Sequence, residues 1–320
     1  MNIKQHLTHF IEKCQHLDDT AFVDVEAEDI SSLYLVKVEE ENFDEKNSEM
    51  QPSVKEATDS YELQTISSVI SSEQHLIILG NPGSGKSTTL VHEAIKMAND
   101  YLHGYSTNIP IYVALKNIIS VADFMDSLNI EQQETEDLEA LSFHNYVLFL
   151  DGLNELSPNI YDSIIDAIKR ILCTYPNVKL VLSSRKYGYT NQLEIPQYEL
   201  QAFDEENIGS YIKMRTGNIQ LLAELRKEES LFSLCSTPLI LKMVVDTWLA
   251  NQHLPAQISS LYQEFIDNQI SENLHLNNED KQLLISTMSV LAYKLRDTGF
   301  ISDSTVEMKN IIGYITSKAK

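Results

Sequence analysis

The chain has 320 residues, 43% of them hydrophobic, and a formal net charge of -23. That length fits about two or three compact units, and the acidity argues against a broad nucleic-acid or anionic-lipid surface. No apolar run approaches the ~18 residues of a membrane span, the amino terminus lacks a signal-peptide pattern, and the cysteines Cys14, Cys173 and Cys235 fit neither a disulfide framework nor a zinc pattern, so a reducing cytoplasm is expected.

Apolar residues at Ile3, Leu7, Phe10, Ile11 and Cys14 predict a helix over residues 2–17. Residues 32–38 read as a short strand. The acidic stretch 39–58, with Pro52, reads as a solvated connector. Residues 61–70 predict a helix that leads into the strand His75-Leu76-Ile77-Ile78-Leu79.

That strand runs into Gly80-Asn81-Pro82-Gly83-Ser84-Gly85-Lys86-Ser87-Thr88, which matches Gly-x-x-x-x-Gly-Lys-Ser, the phosphate-binding P-loop. The three glycines are expected to take positive φ and let the backbone approach an anion. Successive N–H groups and the next helix's dipole then face one concavity. Lys86 offers a charge for the β- and γ-phosphates. Ser87 offers a hydroxyl to a Mg²⁺ shell that is otherwise mostly water and phosphate oxygen. A plain glycine turn explains the glycines, but not lysine and serine in the next two places.

Downstream, residues 108–115 predict a second buried strand, 118–141 an acidic helix and 145–151 a third strand ending in Asp151. Residues 160–173 predict a helix with Ile164, Ile165, Ile168, Ile171 and Leu172 on one face. Residues 178–185 and 198–203 predict two more strands. Alternating strands and helices imply a mainly parallel sheet covered on both faces. Ligands gather at the carboxyl ends of such strands, and Gly80, Asp151 and Ser184-Arg185 all fall there. From Asp204, a helix N-cap, the pattern is helical: 205–214, 221–234, 237–249, 258–270, 280–296 and 306–315. Cys173 and Cys235 read as small core residues.

Val147-Leu148-Phe149-Leu150-Asp151 is an apolar strand tipped by an acid, the Walker B pattern. Asp151 is placed to hold the metal through water, opposite Ser87. Glu155, four residues on, can orient and deprotonate an attacking water.

With these motifs, and with Tyr175 to Arg185 and Ser236-Thr237-Pro238-Leu239-Ile240-Leu241, the chain resembles the NACHT family of STAND-type P-loop ATPases from about Tyr34 onward. The segment Asp151-Gly152-Leu153-Asn154-Glu155-Leu156 and the Ser-Ser-Arg strand end are the more specific parts of the match. The resemblance implies that Arg185 reads the γ-phosphate, that Pro238 packs on the adenine and ribose, and that Tyr34 marks the edge of the base pocket. It implies four segments: an N-terminal helix, strand and acidic linker (1–60), the P-loop ATPase domain (61–203), a helical domain (204–271) and a partial winged-helix region (272–320).

The expected fold class is therefore α/β: a P-loop NTPase parallel sheet with helices on both faces, then an all-α helical domain and the start of a winged helix. The chain departs from the family pattern twice. Asn154 stands where the family usually has an acid, which predicts slow hydrolysis. Family members also continue through a complete winged helix and usually a repeat sensor, whereas this sequence stops at Lys320, with no room before Tyr34 for an effector domain.

The expected function is a cytoplasmic, ATP-binding and slowly hydrolysing signalling switch, with ATP/ADP and Mg²⁺ as ligands. The nucleotide state would control self-association under an unknown protein or ligand trigger, in innate or antiphage defence, with no membrane and no direct nucleic-acid partner. The alternatives are a non-catalytic nucleotide-binding scaffold, or a GTPase or small-molecule kinase on the same P-loop. Against those last two, the sequence has no Asn-Lys-x-Asp guanine motif and no arginine-rich lid.

Overall fold

The computed structural model of the protein describes residues 3–17, 34–38, 63–128, 144–187, 189–254, 258–274 and 278–297. Seven strands form one sheet in the order β2-β1-β7-β3-β6-β5-β4. They are β1 (Tyr34–Lys37), β2 (Gln64–Thr65), β3 (His75–Leu79), β4 (Asn108–Ala114), β5 (Asn145–Asp151), β6 (Lys179–Ser184) and β7 (Gln197–Leu200). β7, β3, β6, β5 and β4 are parallel; β1 runs antiparallel to β7, and β2 antiparallel to β1. Pro110 donates no ladder hydrogen bond, and it lies in β4 at the sheet's edge, where a strand tolerates proline.

The parallel strands are apolar on both faces, as burial on both sides requires. Ile77, Leu79, Leu148, Leu150, Leu180 and Leu182 turn to one face and join α4 (Val121–Leu128) and α5 (Pro158–Thr174). Leu76, Ile78, Val147, Phe149 and Val181 turn to the other and meet α2 (Ile66–Ser72) and α3 (Lys86–Leu102). The period of two decides this division. α1 (Ile3–Leu17) adds Leu7 to the first face.

A separate cluster holds the helices beyond the sheet: α6 (Glu205–Thr216), α7 (Gln220–Leu225), α8 (Glu229–Leu234), α9 (Pro238–Asn251) and the start of α10 (Ile258–Leu274). α11 spans Asn278–Asp297. At the start of α6, Asp204 accepts from the Asn207 N–H at 2.8 Å and Asn207 returns the bond, a full capping box. α9 is buried nearly all round, through Ile240, Leu241, Met243, Val244, Val245 and Trp248, and forms the axis of this cluster.

Several expectations change. The segment predicted as a helix over 61–70 contains β2, and α2 starts only at Ile66, because the Thr65 side chain accepts from the Ser68 N–H and caps it. The helix predicted over 221–234 is two, α7 and α8. Residues Lys227 and Glu228 close three-residue bonds to Glu224 and Leu225, and Glu228 then leaves helical geometry. The acidic helix predicted over 118–141 is α4 over Val121–Leu128; residues 129–143 lie outside the described residues, as do the connector at 39–58 and the helix predicted at 306–315. Cys173 is exposed, not a core residue, whereas Cys235 and Cys14 are buried. Cys173 sits near the end of α5, past Ile171, on the side turned from the sheet.

Phe149 is fully buried in the middle of the sheet. We expect Phe149→Ala to lower unfolding stability by about 3–5 kcal/mol, and Cys173→Ser to change it by less than about 0.5 kcal/mol. Denaturant titrations of both variants check this; equal losses would mean the sheet's core is misplaced.

Candidate functional site

The loop after β3 turns through two left-handed glycines, Gly83 (φ 75°) and Gly85 (φ 93°). Gly80 does not take positive φ, contrary to expectation. It is confined by space: a Cβ there would lie 2.7 Å from Ser84 Oγ and 3.4 Å from Lys86 Cδ. Gly85 is also the N-cap of α3, and no side chain caps that helix. Its first turn, Lys86, Ser87 and Thr88, carries no carboxylate and leaves backbone donors turned outward. Lys86 is not simply solvated. Its ammonium donates to Gly80 O at 2.8 Å and Asn81 O at 2.9 Å, with Ser84 Oγ at 3.4 Å. Burial pushes its pKa below the ordinary value, and Asp151 pulls it back up.

Asp151 is buried at the tip of β5. The sheet's alternation sets it on one face with Ser183 of the neighbouring β6 and Tyr112 of β4. Ser183 Oγ donates to Asp151 Oδ1 at 2.6 Å, Tyr112 Oη donates to Oδ2 at 3.2 Å, and Ser183 Oγ accepts from the Gly152 N–H at 2.8 Å. Burial, the Asp151 charge and that hydrogen bond push the Tyr112 hydroxyl's pKa far up, so it stays a donor. Sequence reading missed both supports. The signal for Ser183 was a hydroxyl inside an apolar strand; Tyr112 had none.

Gly152 follows at φ 79°, and a Cβ there would stand 3.2 Å from Glu155 Cδ. The glycine therefore lets the chain fold Glu155 back over it, with the Glu155 N–H bonded to Gly152 O at 2.8 Å. Asn154 does something other than flank a base: its Oδ1 accepts from the Arg185 N–H at 3.0 Å and holds the end of β6.

These groups line a cleft of about 290 Å³, near the ~300 Å³ lower bound for small-molecule pockets. One wall is Pro82 to Thr88; the floor is Asp151, Gly152, Asn154, Glu155, Ser183 and Arg185; the facing wall is Pro238, Leu239 and Lys242 of α9. The Leu239 N–H donates to Gly83 O at 3.1 Å, so α9 begins directly on the loop. A Cβ on Gly83 would lie 2.9 Å from Leu239 Cβ, a second reason for glycine. Of the expected ligand-binding positions, Gly80 and Asn81 are absent from the lining and contribute carbonyls to Lys86 instead. Tyr34 is also absent from it and pairs with Thr65 at the sheet's far side.

Among the described residues there is no group of three or more His, Cys, Asp or Glu side chains able to hold a metal ion, and no helix long and apolar enough to cross a membrane. Ser87 and Asp151 alone suit an ion that keeps most of its waters, as Mg²⁺ does. Asp151 spends one hydrogen bond on each oxygen and retains lone pairs for such water.

No protein-family model matches the sequence, and no curated protein matches it. Among solved structures, the Thermotoga maritima RuvB Holliday junction branch migration motor is similar, at 18% identity and a TM-score of 0.37, over 68% of this chain and 70% of that one. Two point mutants of the same motor align over the same shares, at 18% and 17% identity with TM-scores of 0.35 and 0.36. The fold is that of a P-loop NTPase, on its own strand order, loop and helical layers.

The turn after β5 gives a direct check. Gly152→Ala puts a side chain into left-handed backbone and against Glu155, and we expect it to cost about 1–3 kcal/mol. Asn154→Ala removes the acceptor for the Arg185 N–H and is expected to cost about 1 kcal/mol, while Asn154→Asp keeps an acceptor and loses less. Thermal and denaturant unfolding measure all three; Ala and Asp losses of equal size at position 154 would contradict the bond to Arg185.

Proposed function

We propose that this chain is a nucleotide-dependent switch of the NACHT type, which binds ATP with Mg²⁺ between the sheet and the helical layer and hydrolyses it slowly. The observation that carries this reading is a local reversal of charge. In a chain of net charge -23, Lys86, Arg185 and Lys242 meet in one cleft whose lining carries two carboxylates, Asp151 and Glu155, while Lys242 is paired with Asp246 outside that lining. The uncapped start of α3 adds its dipole. Such a site favours a polyanion while the rest of the surface repels one.

In this reading Gly83, Ser84, Gly85, Lys86, Ser87 and Thr88 hold the phosphate chain, with Pro82 in the wall beside them. Lys86 exchanges the Gly80 and Asn81 carbonyls for phosphate oxygen, and bonds of the charged kind are the stronger. A bound Mg²⁺ would supply electrostatic stabilisation of the phosphate oxygens, held by Ser87 and, through water, by Asp151. Glu155 accepts the proton of the attacking water. Arg185 faces the same cleft and is suited to the terminal phosphate. Pro238, buried at the first turn of α9, is suited to the base and ribose as an apolar surface.

The proposed segments follow: an N-terminal helix and strand with linker (1–60), an ATPase domain (61–203), a helical domain (204–271) and a partial winged-helix region (272–320). Nucleotide state would set the angle between the ATPase and helical domains and so expose a surface for self-association. A defence role, a cytoplasmic location and an unidentified trigger belong to this proposal and rest on the NACHT resemblance.

The slow rate is also part of the proposal. Asn154 is engaged by the Arg185 backbone, so Glu155 acts as a base without a second acid. A single general base contributes about 10²–10⁴-fold to rate. We expect Glu155→Gln to remove measurable turnover and to retain ATP affinity, and Lys86→Ala to abolish affinity with the fold intact. Titration with a fluorescent ATP analogue and single-turnover hydrolysis at saturating Mg-ATP measure both. Unchanged affinity in Lys86→Ala removes nucleotide from this cleft; unchanged turnover in Glu155→Gln makes Glu155 structural. GTP displacing the analogue better than ATP would turn the reading toward a GTPase.

A further inference from the structure

One cation in the cleft has no part in the P-loop, the β5 tip or the β6 end. Lys242 lies in α9, a helix otherwise packed with Ile240, Leu241, Met243, Val244 and Val245, and it is only 8% exposed. A lysine is a poor core filler, and an ion pair alone does not explain one, because well-packed apolar residues of similar size usually serve as well or better. Its position is distinctive. It stands one turn after Pro238, so the two share a helix face, and both line the cleft together with the P-loop.

Lys242 Nζ bonds to Asp246 Oδ2, one further turn along. Asp246 has a second cation: Arg215 Nη2 of α6 reaches its other oxygen at 3.3 Å. Two cations thus share one carboxylate, and the buried Arg215 Nε has no hydrogen-bond partner among the described residues. If Lys242 leaves, Asp246 remains compensated by Arg215, which has donor capacity to spare. A buried charge is costly to strand, and this arrangement lets Lys242 move without stranding one.

We propose that Lys242 is a phosphate-binding residue contributed by the helical layer, which exchanges Asp246 for the phosphate chain of the bound nucleotide while Arg215 keeps Asp246 neutralised. This rests on the nucleotide reading above and deepens it. The exchange gives the helical layer its own charged contact to the ligand. The start of the same helix bonds to Gly83 O through the Leu239 N–H. The phosphate chain is then gripped from both walls, and its length and charge bear on where α9 sits against the loop.

The two partners of the ion pair make opposite predictions. Lys242→Met keeps the side-chain volume and removes the charge; it should weaken binding of a fluorescent ATP analogue by about tenfold or more, the loss of one charge-assisted bond. Asp246→Asn frees Lys242 from its competitor and should leave affinity unchanged or tighten it. A merely structural ion pair would make both variants weaker, or neither. Titrations of wild type and both variants, run below their melting transitions, separate these outcomes. Weaker binding in Asp246→Asn, or wild-type affinity in Lys242→Met, overturns the role of Lys242 while wild-type binding upholds the nucleotide site. If Lys242→Met does not fold, Asp246→Asn alone decides: tighter binding upholds the role of Lys242, and unchanged or weaker binding overturns it. If the wild-type protein binds no ATP, the nucleotide reading and this inference fall together.

Discussion

A buried carboxylate has to be met by donors, and Asp151 is the point where this fold satisfies that demand. Two hydroxyls serve it, Ser183 at 2.6 Å and Tyr112 at 3.2 Å, each from a neighbouring strand. Hydrogen bonds to a charged group are worth about 1.5–3 kcal/mol each, and an unmet charge costs more. The pair therefore locks the carboxyl ends of β4, β5 and β6 in one register. The ladder between β3 and β6, with Leu79 opposite Ser184, then brings the P-loop to the same edge. The groups at the strand ends take their positions from that alignment: Arg185 comes directly after β6, and Gly152 and Glu155 turn back from the end of β5.

Local signals in the sequence were reliable where the structure is locally determined. The bounds of β5 agree with expectation, because an apolar run of strand length is buried on both faces. Gly83 and Gly85 take the left-handed backbone expected of them because the loop's own geometry demands it, and Leu239 of α9 presses on Gly83 besides. Nonlocal facts were illegible. A hydroxyl inside an apolar strand is all that marks Ser183, nothing near Tyr112 announces that it serves Asp151, and nothing near Asn154 announces Arg185. In the sequence Lys242 and Asp246 merely interrupt the apolar segment 238–249; in the fold they are one ion pair, a helical turn apart. The break between α7 and α8 falls in the polar run Arg226-Lys227-Glu228-Glu229-Ser230, a local interruption of the apolar spacing that marks it in the sequence.

The charge balance of the cleft connects fold to chemistry. Its cations come from three places: the P-loop, the end of β6 and α9. None is isolated. Lys86 is held by carbonyls and Lys242 by a carboxylate, so each has a bond to give up when an anion arrives. In the proposed switch this exchange is the event that couples ligand to geometry, since the two lysines reach the cleft from different elements, the P-loop and α9. The direct backbone link across the cleft mouth, the Leu239 N–H to Gly83 O bond, is a single bond, worth about 1 kcal/mol net. A ligand that grips both walls outweighs it.

The central claim is that one ligand site is made jointly by the P-loop and the start of α9. Amide hydrogen exchange with and without Mg-ATP tests it most directly. The account predicts slowed exchange in both segments, residues 83–89 and 239–243, with the β5 core unchanged. Slowing confined to the loop would contradict a joint site, and no change in either segment would contradict nucleotide binding in this cleft.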